Sequence, residues 1–67
     1  MALIKVKEII GTSEKSFDDA LKQAIKQCAK AKKNLTGAKI IGQNAEIKDG
    51  EVVEYKVNAK IAYKWES

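Results

Sequence analysis

Residues 53–66 read VEYKVNAKIAYKWE, with apolar and polar side chains in alternation. Alternation sustained over this length is typical of a β-strand that buries one face and leaves the other in water. The odd-numbered positions form the apolar face, and the even-numbered positions carry nearly all of the polar groups. We therefore expect a long strand that is covered on one side by another element.

A tight turn precedes this strand. The segment Lys48-Asp49-Gly50 supplies Asp-Gly, the pair that adopts the positive φ angles of a two-residue hairpin. The sequence before it predicts a second strand over about residues 38–47, antiparallel to the third. The first strand is connected to this hairpin through the helix, so a right-handed crossover is expected. We place the third strand at the centre of the sheet.

A helix is predicted from Phe17 to about Lys33. Ser16 is a suitable N-cap, with Asp19 three residues later in the place of the usual Glu or Gln, and Asn34 and Gly37 mark the stop. Apolar residues recur at spacings of three and four, which places them on one helical face. They are Phe17, Ala20, Leu21, Ala24, Ile25, Cys28 and Ala31.

A first strand is predicted over residues 3–10, ended by Gly11. The fold class is then α+β. The order is β-α-β-β, with a three-stranded antiparallel sheet wrapped over one helix. We expect residues 1–67 to form a single domain.

The lengths of these elements indicate self-association. A helix of about 17 residues is roughly 25 Å long, whereas a strand of about 15 residues is roughly 50 Å long. The helix cannot cover the apolar face of that strand, and the part around Tyr63 and Trp65 needs a partner. Domains this small commonly need disulfides, a metal or partner subunits to be stable. The chain has one cysteine and no histidine, so neither an internal disulfide nor a zinc site is expected. Partner subunits are the remaining means.

Composition excludes several functions. The chain has no histidine, no nucleophile elbow and no phosphate-binding glycine loop, so we do not expect an enzyme. Its net charge of +4 is spread out, and the helical stripe Lys22, Lys26, Lys30 and Lys33 is interpreted as a solvated face, with nucleic-acid contact as the alternative. No segment suits a membrane span or signal peptide, and Cys28 is expected to be a buried, inert thiol, so a cytoplasmic location is expected.

Three segments together resemble the dodecin family. They are residues 5–13 (KVKEIIGTS), residues 16–20 (SFDDA) and residues 49–55 (DGEVVEY), and their order and spacing agree with its first strand, helix start and hairpin. The resemblance implies a hollow homododecamer that binds or stores a small ligand without catalysis. Flavins are the ligands of many members.

Two positions depart from the flavin-binding pattern. The resemblance places Gly37 where flavin-binding members carry a tryptophan that stacks on the isoalloxazine ring, and Lys56 where they carry a hydrogen-bonding glutamine. Glycine has no π face, and lysine donates only. Gly37 and Lys56 therefore favour a cage without an organic cofactor over flavin storage, which stays as the alternative.

The run from Gly37 to Asn44 is similar to a second branch, the calcium dodecins, which also lack the tryptophan. Calcium or another cation is thus the ligand that the resemblance favours over flavin. The metal ligands are not identified, because Gly42 and Asn44 stand where that branch has acidic residues. Gln43 is interpreted either as lining a ligand pocket with Lys56 or as part of a solvated strand face.

Other residues admit two interpretations. Glu8 can pair with Lys60 across neighbouring strands or ligate a metal. Trp65 can pack between subunits or stack on a ligand. The carboxylates in turns or at strand ends can be plain surface charges or can meet a second copy to hold a cation. These are Glu14, Glu46, Asp49 and Glu51.

Overall fold

The computed structural model of the chain describes residues 2–32 and 34–66. Four elements follow in the order β1 (Ala2–Ser13), α1 (Phe17–Ala31), β2 (Leu35–Lys48) and β3 (Glu51–Glu66). The strands form one antiparallel sheet in the order β1-β3-β2. The predicted β-α-β-β architecture with a central third strand is confirmed.

The β2–β3 hairpin turns at Asp49 and Gly50, whose φ angles are 53° and 79°. Both residues have a left-handed backbone conformation, as a two-residue turn of this kind requires. The predicted Asp-Gly hairpin is confirmed. The strands are longer than predicted, however, because β2 begins three residues earlier, at Leu35, and both strands continue to the turn itself.

The predicted end of β1 at Gly11 is wrong, since the strand runs on to Ser13. Gly11 is buried beneath the helix, and a Cβ atom there would overlap the carbonyl oxygen of Ala20 and lie 2.6 Å from the Cβ of Ala24. The glycine therefore allows close helix–strand approach and does not mark a turn.

The helix begins as predicted, with the Ser16 Oγ accepting a hydrogen bond from the Asp19 amide at 3.0 Å. The Asp19 carboxylate accepts from the Ser13 hydroxyl at 2.6 Å, so it ties the helix start to the end of β1. At the other end the helix stops at Ala31, and Lys32 is the C-cap. The predicted end at Lys33 lies outside the described residues.

The core lies between α1 and the middle of the sheet. Helix α1 packs on β1 and β3. The Phe17 and Tyr55 rings meet edge to face, with centroids 4.9 Å apart. Buried residues from the predicted apolar faces of the helix and of β3 form the core. They are Ala20, Cys28, Val57, Ala59 and Ile61.

The helix covers only the middle of β3, as predicted from the lengths. Val53 and Trp65, on the apolar face beyond the helix, are 40% and 41% exposed. The subunit measures 52 × 19 × 13 Å. No helix in residues 2–32 and 34–66 combines the length and the apolar character needed to cross a membrane.

We call the side of the sheet away from α1 the helix-free face. The strand register places on it the side chains that pair with even-numbered residues of β3. Its members used below are Ile4, Val6, Glu8, Ile10, Gly37, Lys39, Asn44, Glu46, Glu54, Lys56, Asn58, Lys60, Ala62 and Lys64.

Candidate functional site

Lys56 lies on the helix-free face between two carboxylates. Its Nζ atom is 3.7 Å from an Oε atom of Glu46 and 3.8 Å from one of Glu54. Glu46 and Glu54 are directly opposite each other on β2 and β3. Like charges in that position repel. The ammonium of Lys56 therefore serves as the counterion of an opposed carboxylate pair.

This arrangement restricts the chemistry available at Lys56. The side chain is 37% exposed, so a ligand on this face can still reach it. It offers only donors, and these already point toward two carboxylates. Any anionic or carbonyl group of a ligand must compete with Glu46 and Glu54 for the ammonium.

Gly37 lies on the helix-free face toward the opposite end of the sheet. It pairs with Ala62, and Ala62 pairs with Val6 on the other side, so the three residues form a row across all three strands. A Cβ atom on Gly37 would meet nothing within 4 Å, and Val6 is 58% exposed. The row is a flat apolar strip that is open to a ligand or to another subunit.

A single chain does not bring Gly37 and Lys56 together. Their positions on β3, at Ala62 and Lys56, are six residues apart in register. At about 3.3 Å per residue that is roughly 20 Å. A compact ligand touching both positions would therefore need them from different subunits.

Gln43 does not share a face with Lys56. It pairs with the buried Val57, so its side chain lies on the helix side of the sheet, where it is exposed. The irregularity between Glu46 and Ile47 shifts the register by one residue. Because strand side chains alternate with a period of two, this shift moves Gln43 to the other face. Gln43 and Lys56 therefore do not line one pocket within a subunit.

Glu8 is opposite Lys60, as the sequence predicts. Its carboxylate, however, accepts a hydrogen bond from the Asn58 side-chain amide at 3.2 Å, and no Glu8–Lys60 ion pair forms among the described residues. Glu8 and Lys60 are therefore opposite each other as predicted, but the predicted ion pair between them is wrong. The Asn58 Oδ1 atom is buried and has no hydrogen-bond partner in the part of the chain that the structure describes.

Apart from Glu66 at the far end of β3, the acidic residues of β2, β3 and their turn gather at the hairpin end of the sheet. Glu46 is opposite Glu54, Glu51 is opposite Lys48, and Asp49 lies in the turn. Within residues 2–32 and 34–66, no three carboxylate, cysteine or histidine side chains are grouped closely enough to hold a metal ion. A cation at this end would need further oxygen atoms, from backbone carbonyls, water or a second copy of the chain.

Sequence analysis missed Glu54, although it completes the group around Lys56. The alternation along β3 does place Glu54 and Lys56 on one face, two residues apart. What the sequence does not reveal is which residue of β2 faces them, because that depends on the irregularity near the turn.

A groove of about 700 Å³ runs beside the helix along β1. Cys28 reaches its wall but is buried, as predicted. The groove follows the outer edge of β1, the edge of the sheet where no further strand of this subunit pairs. It is a recess between the helix and a free strand edge.

Comparison with known proteins agrees with this architecture. Residues 3–66 match the family model described as Dodecin. No curated protein matches the chain significantly.

Solved structures share the fold over nearly the whole chain. A dodecin from Streptomyces coelicolor superposes with a TM-score of 0.95 at 24% identity, covering 98% of this chain and 94% of that one. A mutant of the Thermus thermophilus dodecin gives 0.95 at 24% identity, with both chains fully covered at 100%. A Mycobacterium tuberculosis protein, described as a calcium-chelating antigen and calcium dodecin, gives 0.83 at 25% identity, covering 96% and 91%.

The family model spans nearly the whole chain, and the solved structures repeat its four elements in the same arrangement. This chain therefore belongs to the dodecin family.

Proposed function

We propose that the protein is a non-catalytic homododecamer, built from a single domain of residues 1–67, that binds or stores a small ligand. The observation that carries this proposal is the apolar surface of the isolated subunit. Among the described residues, 2–32 and 34–66, ten large hydrophobic side chains are at least 40% exposed. Exposed apolar area on that scale is typical of an interface.

The dimensions of the subunit support the same conclusion. A globular chain of 67 residues has a radius of gyration near 11 Å, whereas this subunit has 13.7 Å. Its accessible surface is 5061 Å², and a monomer of 7.4 kDa is expected to expose about 4,200 Å². The larger radius of gyration and the larger accessible surface are those of a subunit in a larger shell more than those of a free monomer.

The apolar residues lie on both sides of the sheet. Trp65 and Leu3 are directly opposite each other on the helix side, beyond the helix. Ile4, Val6 and Ile10 lie on the helix-free face and are 58%, 58% and 66% exposed. Contacts on both sides are what a subunit needs in order to meet several neighbours in a closed cage.

Calcium is the ligand we propose first. The M. tuberculosis relative is described as calcium-chelating and having a calcium-binding site. Calcium takes six to eight oxygen ligands. The carboxylates at the hairpin end, including Glu46 and Glu54, provide such atoms, and we propose that neighbouring subunits complete the site there. Lys56 occupies the space between two of them, so calcium must either displace it or bind at the turn.

Flavin is the alternative ligand. The open strip around Gly37 and Ala62 has room for a planar ring, but its row of described residues, Val6, Ala62 and Gly37, offers no aromatic side chain for stacking. Lys56 is engaged by two carboxylates and does not offer the acceptor that a glutamine would. Both positions lower the expected flavin affinity relative to flavin-binding members of the family.

The proposed partners are copies of the chain itself and a small ligand, without nucleic acid or membrane. Cys28 is the single cysteine, so no disulfide can form within the chain. This supports a reducing compartment, and we propose the cytoplasm.

Native mass spectrometry tests the assembly and the ligand together. The purified protein is measured alone, with calcium chloride, and with riboflavin, and magnesium chloride serves as the matched control for calcium. We expect a dodecamer that gains mass with calcium at concentrations where magnesium adds none. A dodecamer that gains mass with riboflavin only would replace calcium by the alternative ligand. A monomer at micromolar concentration would contradict the assembly and the function with it.

A further inference from the structure

The groove between α1 and the free edge of β1 needs an occupant of a particular kind. It holds about 700 Å³, and the short helix side chains Ala24, Cys28 and Ala31 line one side of it. The other side is β1, an edge strand whose outward backbone N–H and C=O groups have no partner strand in this subunit. An apolar small molecule would exclude water from these groups without replacing its hydrogen bonds. An extended polypeptide supplies both backbone partners and side chains that fill the groove.

Strand β2 has the complementary requirement. It forms the opposite edge of the sheet, so its outward backbone groups also have no partner strand in the subunit. Helix α1 packs mainly on β1 and β3 and leaves the helix side of β2 with little cover. On that side Ile40 is opposite the buried Ala59 but is 44% exposed. Ala38, opposite the buried Ile61, is exposed as well. One edge therefore carries uncovered apolar side chains, and the other borders an unfilled groove.

The charges beside the two edges are complementary too. Glu8, Lys60 and Lys39 form one row across β1, β3 and β2 on the helix-free face. Lys39 and Lys60 are directly opposed like charges, which destabilise a strand pair. Glu8 is two strands from Lys39, roughly 10 Å at about 4.8 Å per strand. Among the described residues, no carboxylate is within ion-pair distance of Lys39. The β1 edge of a second copy, placed beside β2, would bring a Glu8 carboxylate within one strand of Lys39.

We propose that β2 of one copy pairs with β1 of the next, with Lys39 beside Glu8, so that the two sheets join edge to edge. This pairing rests on the proposed self-assembly and identifies surfaces that carry it. Both residues lie on the helix-free face, so the joined sheet keeps its helices on one side. Because side chains alternate along a strand, Ala38 and Ile40 then point into the neighbour's groove, whichever way the strand runs.

The contact joins two different surfaces of the chain. Each copy offers its β1 edge to one neighbour and its β2 edge to another, and a heterologous contact of this kind generates a ring when its rotation closes. The row of charges repeats across the joined sheets as Glu8, Lys60 and Lys39. Each Lys39 then has a carboxylate on its outer side, which offsets the repulsion from Lys60.

Disulfide trapping tests the pairing. The variant Glu8→Cys/Lys39→Cys, with Cys28→Ala to remove the native thiol, is oxidised with diamide and run on a non-reducing denaturing gel. A disulfide needs Cα atoms about 4.4–6.8 Å apart, which opposed residues on adjacent strands satisfy and residues two strands apart do not. We expect a ladder of dimers and larger species. Glu8→Cys and Lys39→Cys chains expressed together should stop at dimers, because each chain then carries one thiol. Glu8→Cys/Lys26→Cys, with its second thiol on the exposed helix surface, should stay monomeric on the gel.

A second variant separates the contact from the stability of the subunit. Lys39→Glu replaces the repulsive pair with Lys60 by an attractive one inside the subunit, but it opposes Glu8 of the neighbour. The concentration at half assembly should rise about tenfold, since each contact loses an attraction and gains a repulsion. Sedimentation velocity measures it, and Lys26→Glu, with the same charge change on the helix, should leave it unchanged.

The outcomes distinguish this inference from the proposed function. An assembled double-cysteine variant that gives only the monomer band, or an unchanged half-assembly concentration in Lys39→Glu, would overturn the edge pairing and leave the cage standing. A dimer formed by Glu8→Cys alone would overturn it in favour of β1 pairing with β1. A copurified peptide in native mass spectrometry, without cross-links, would assign the groove to another polypeptide. An unmodified protein that stays monomeric would contradict the pairing and the proposed cage together.

Discussion

Gly11 of β1 packs directly against the backbone of Ala20 in the helix, with no space between them for a side chain. The same position lies close to the Cβ of Ala24, one turn further along. Two small residues and one glycine therefore set the distance between the helix and the sheet. The core beneath them, including Val57 and Ala59, is fully buried at that distance.

Gly11→Ala is expected to destabilise the fold by about 1–3 kcal/mol, because the added methyl group must push the helix away from β1. Urea unfolding of the assembled protein measures the change. Gly42→Ala is the matched control, since a Cβ there meets nothing within 4 Å and the backbone is not left-handed. A loss of similar size in both variants would mean that glycine flexibility, and not close packing, explains the effect.

Trp65→Ala is expected to weaken the assembly without unfolding the subunit. The indole is 41% exposed, faces Leu3 across the strands, and has the Lys5 ammonium 4.3 Å from its ring centroid. Large aromatic side chains at an interface commonly carry 2 kcal/mol or more. The concentration at which half of the protein is assembled should rise about tenfold or more, as measured by sedimentation velocity over a dilution series. Lys22→Ala on the exposed helix surface is the control, and an unchanged series for Trp65→Ala would remove this residue from the interface.

Lys56→Gln is expected to lower stability by up to about 1 kcal/mol, since it leaves Glu46 and Glu54 opposed without a counterion. Because the repulsion between exposed carboxylates is screened by salt, the loss should shrink in 1 M sodium chloride. Calcium should stabilise this variant more than it stabilises the unmodified protein, as read from thermal unfolding midpoints. Lys64→Gln removes the same charge opposite Ile4, where no carboxylate pair exists. The counterion role fails if both variants respond alike to salt and to calcium.

Gly37→Trp combined with Lys56→Gln is expected to raise riboflavin affinity. The open space at Gly37 admits the indole, and its φ angle is one that any residue can adopt. Stacking of aromatic rings contributes about 0.5–1.5 kcal/mol, or roughly a 2- to 12-fold gain per stacked ring. Quenching of flavin fluorescence measures the affinity, and Gly42→Trp, on the same strand and equally open, is the control. No gain over that control would show that the surface around Gly37 differs from a flavin site in further respects.

Local patterns predicted most of the fold correctly. The alternation along residues 53–66, the Asp-Gly turn and the spacing of apolar residues in the helix each depend on neighbouring residues, and all three are confirmed. Gly11 shows where such patterns stop being sufficient. A glycine that ends a strand and a glycine that lies beneath a helix look the same in sequence, and only the contact with Ala20 distinguishes them.

The candidate site was harder to predict because it depends on strand register. Counting back from the Asp49-Gly50 turn without irregularities places Gln43 opposite Lys56. The shift between Glu46 and Ile47 instead places Asn44 opposite Lys56 and Gln43 opposite Val57. The second irregularity, between Ile40 and Gly42, cancels the first, so Lys39 lies opposite Lys60, where uninterrupted counting from the turn also places it. No residue type in the sequence indicates where these shifts in strand register occur.

The strand order β1-β3-β2 leaves an open edge on each side of the subunit, along strands of 12 and 14 residues. A newly made chain therefore carries two templates on which any extended polypeptide can add. A lone subunit is prone to aggregate for as long as it stays unassembled, and rapid assembly with other copies of the chain limits that risk. In the proposed cage, closing the shell does more than create ligand sites: it removes the surfaces from which an aggregate would grow. At low concentration a larger fraction of the chains would then be lone subunits with both edges unpaired.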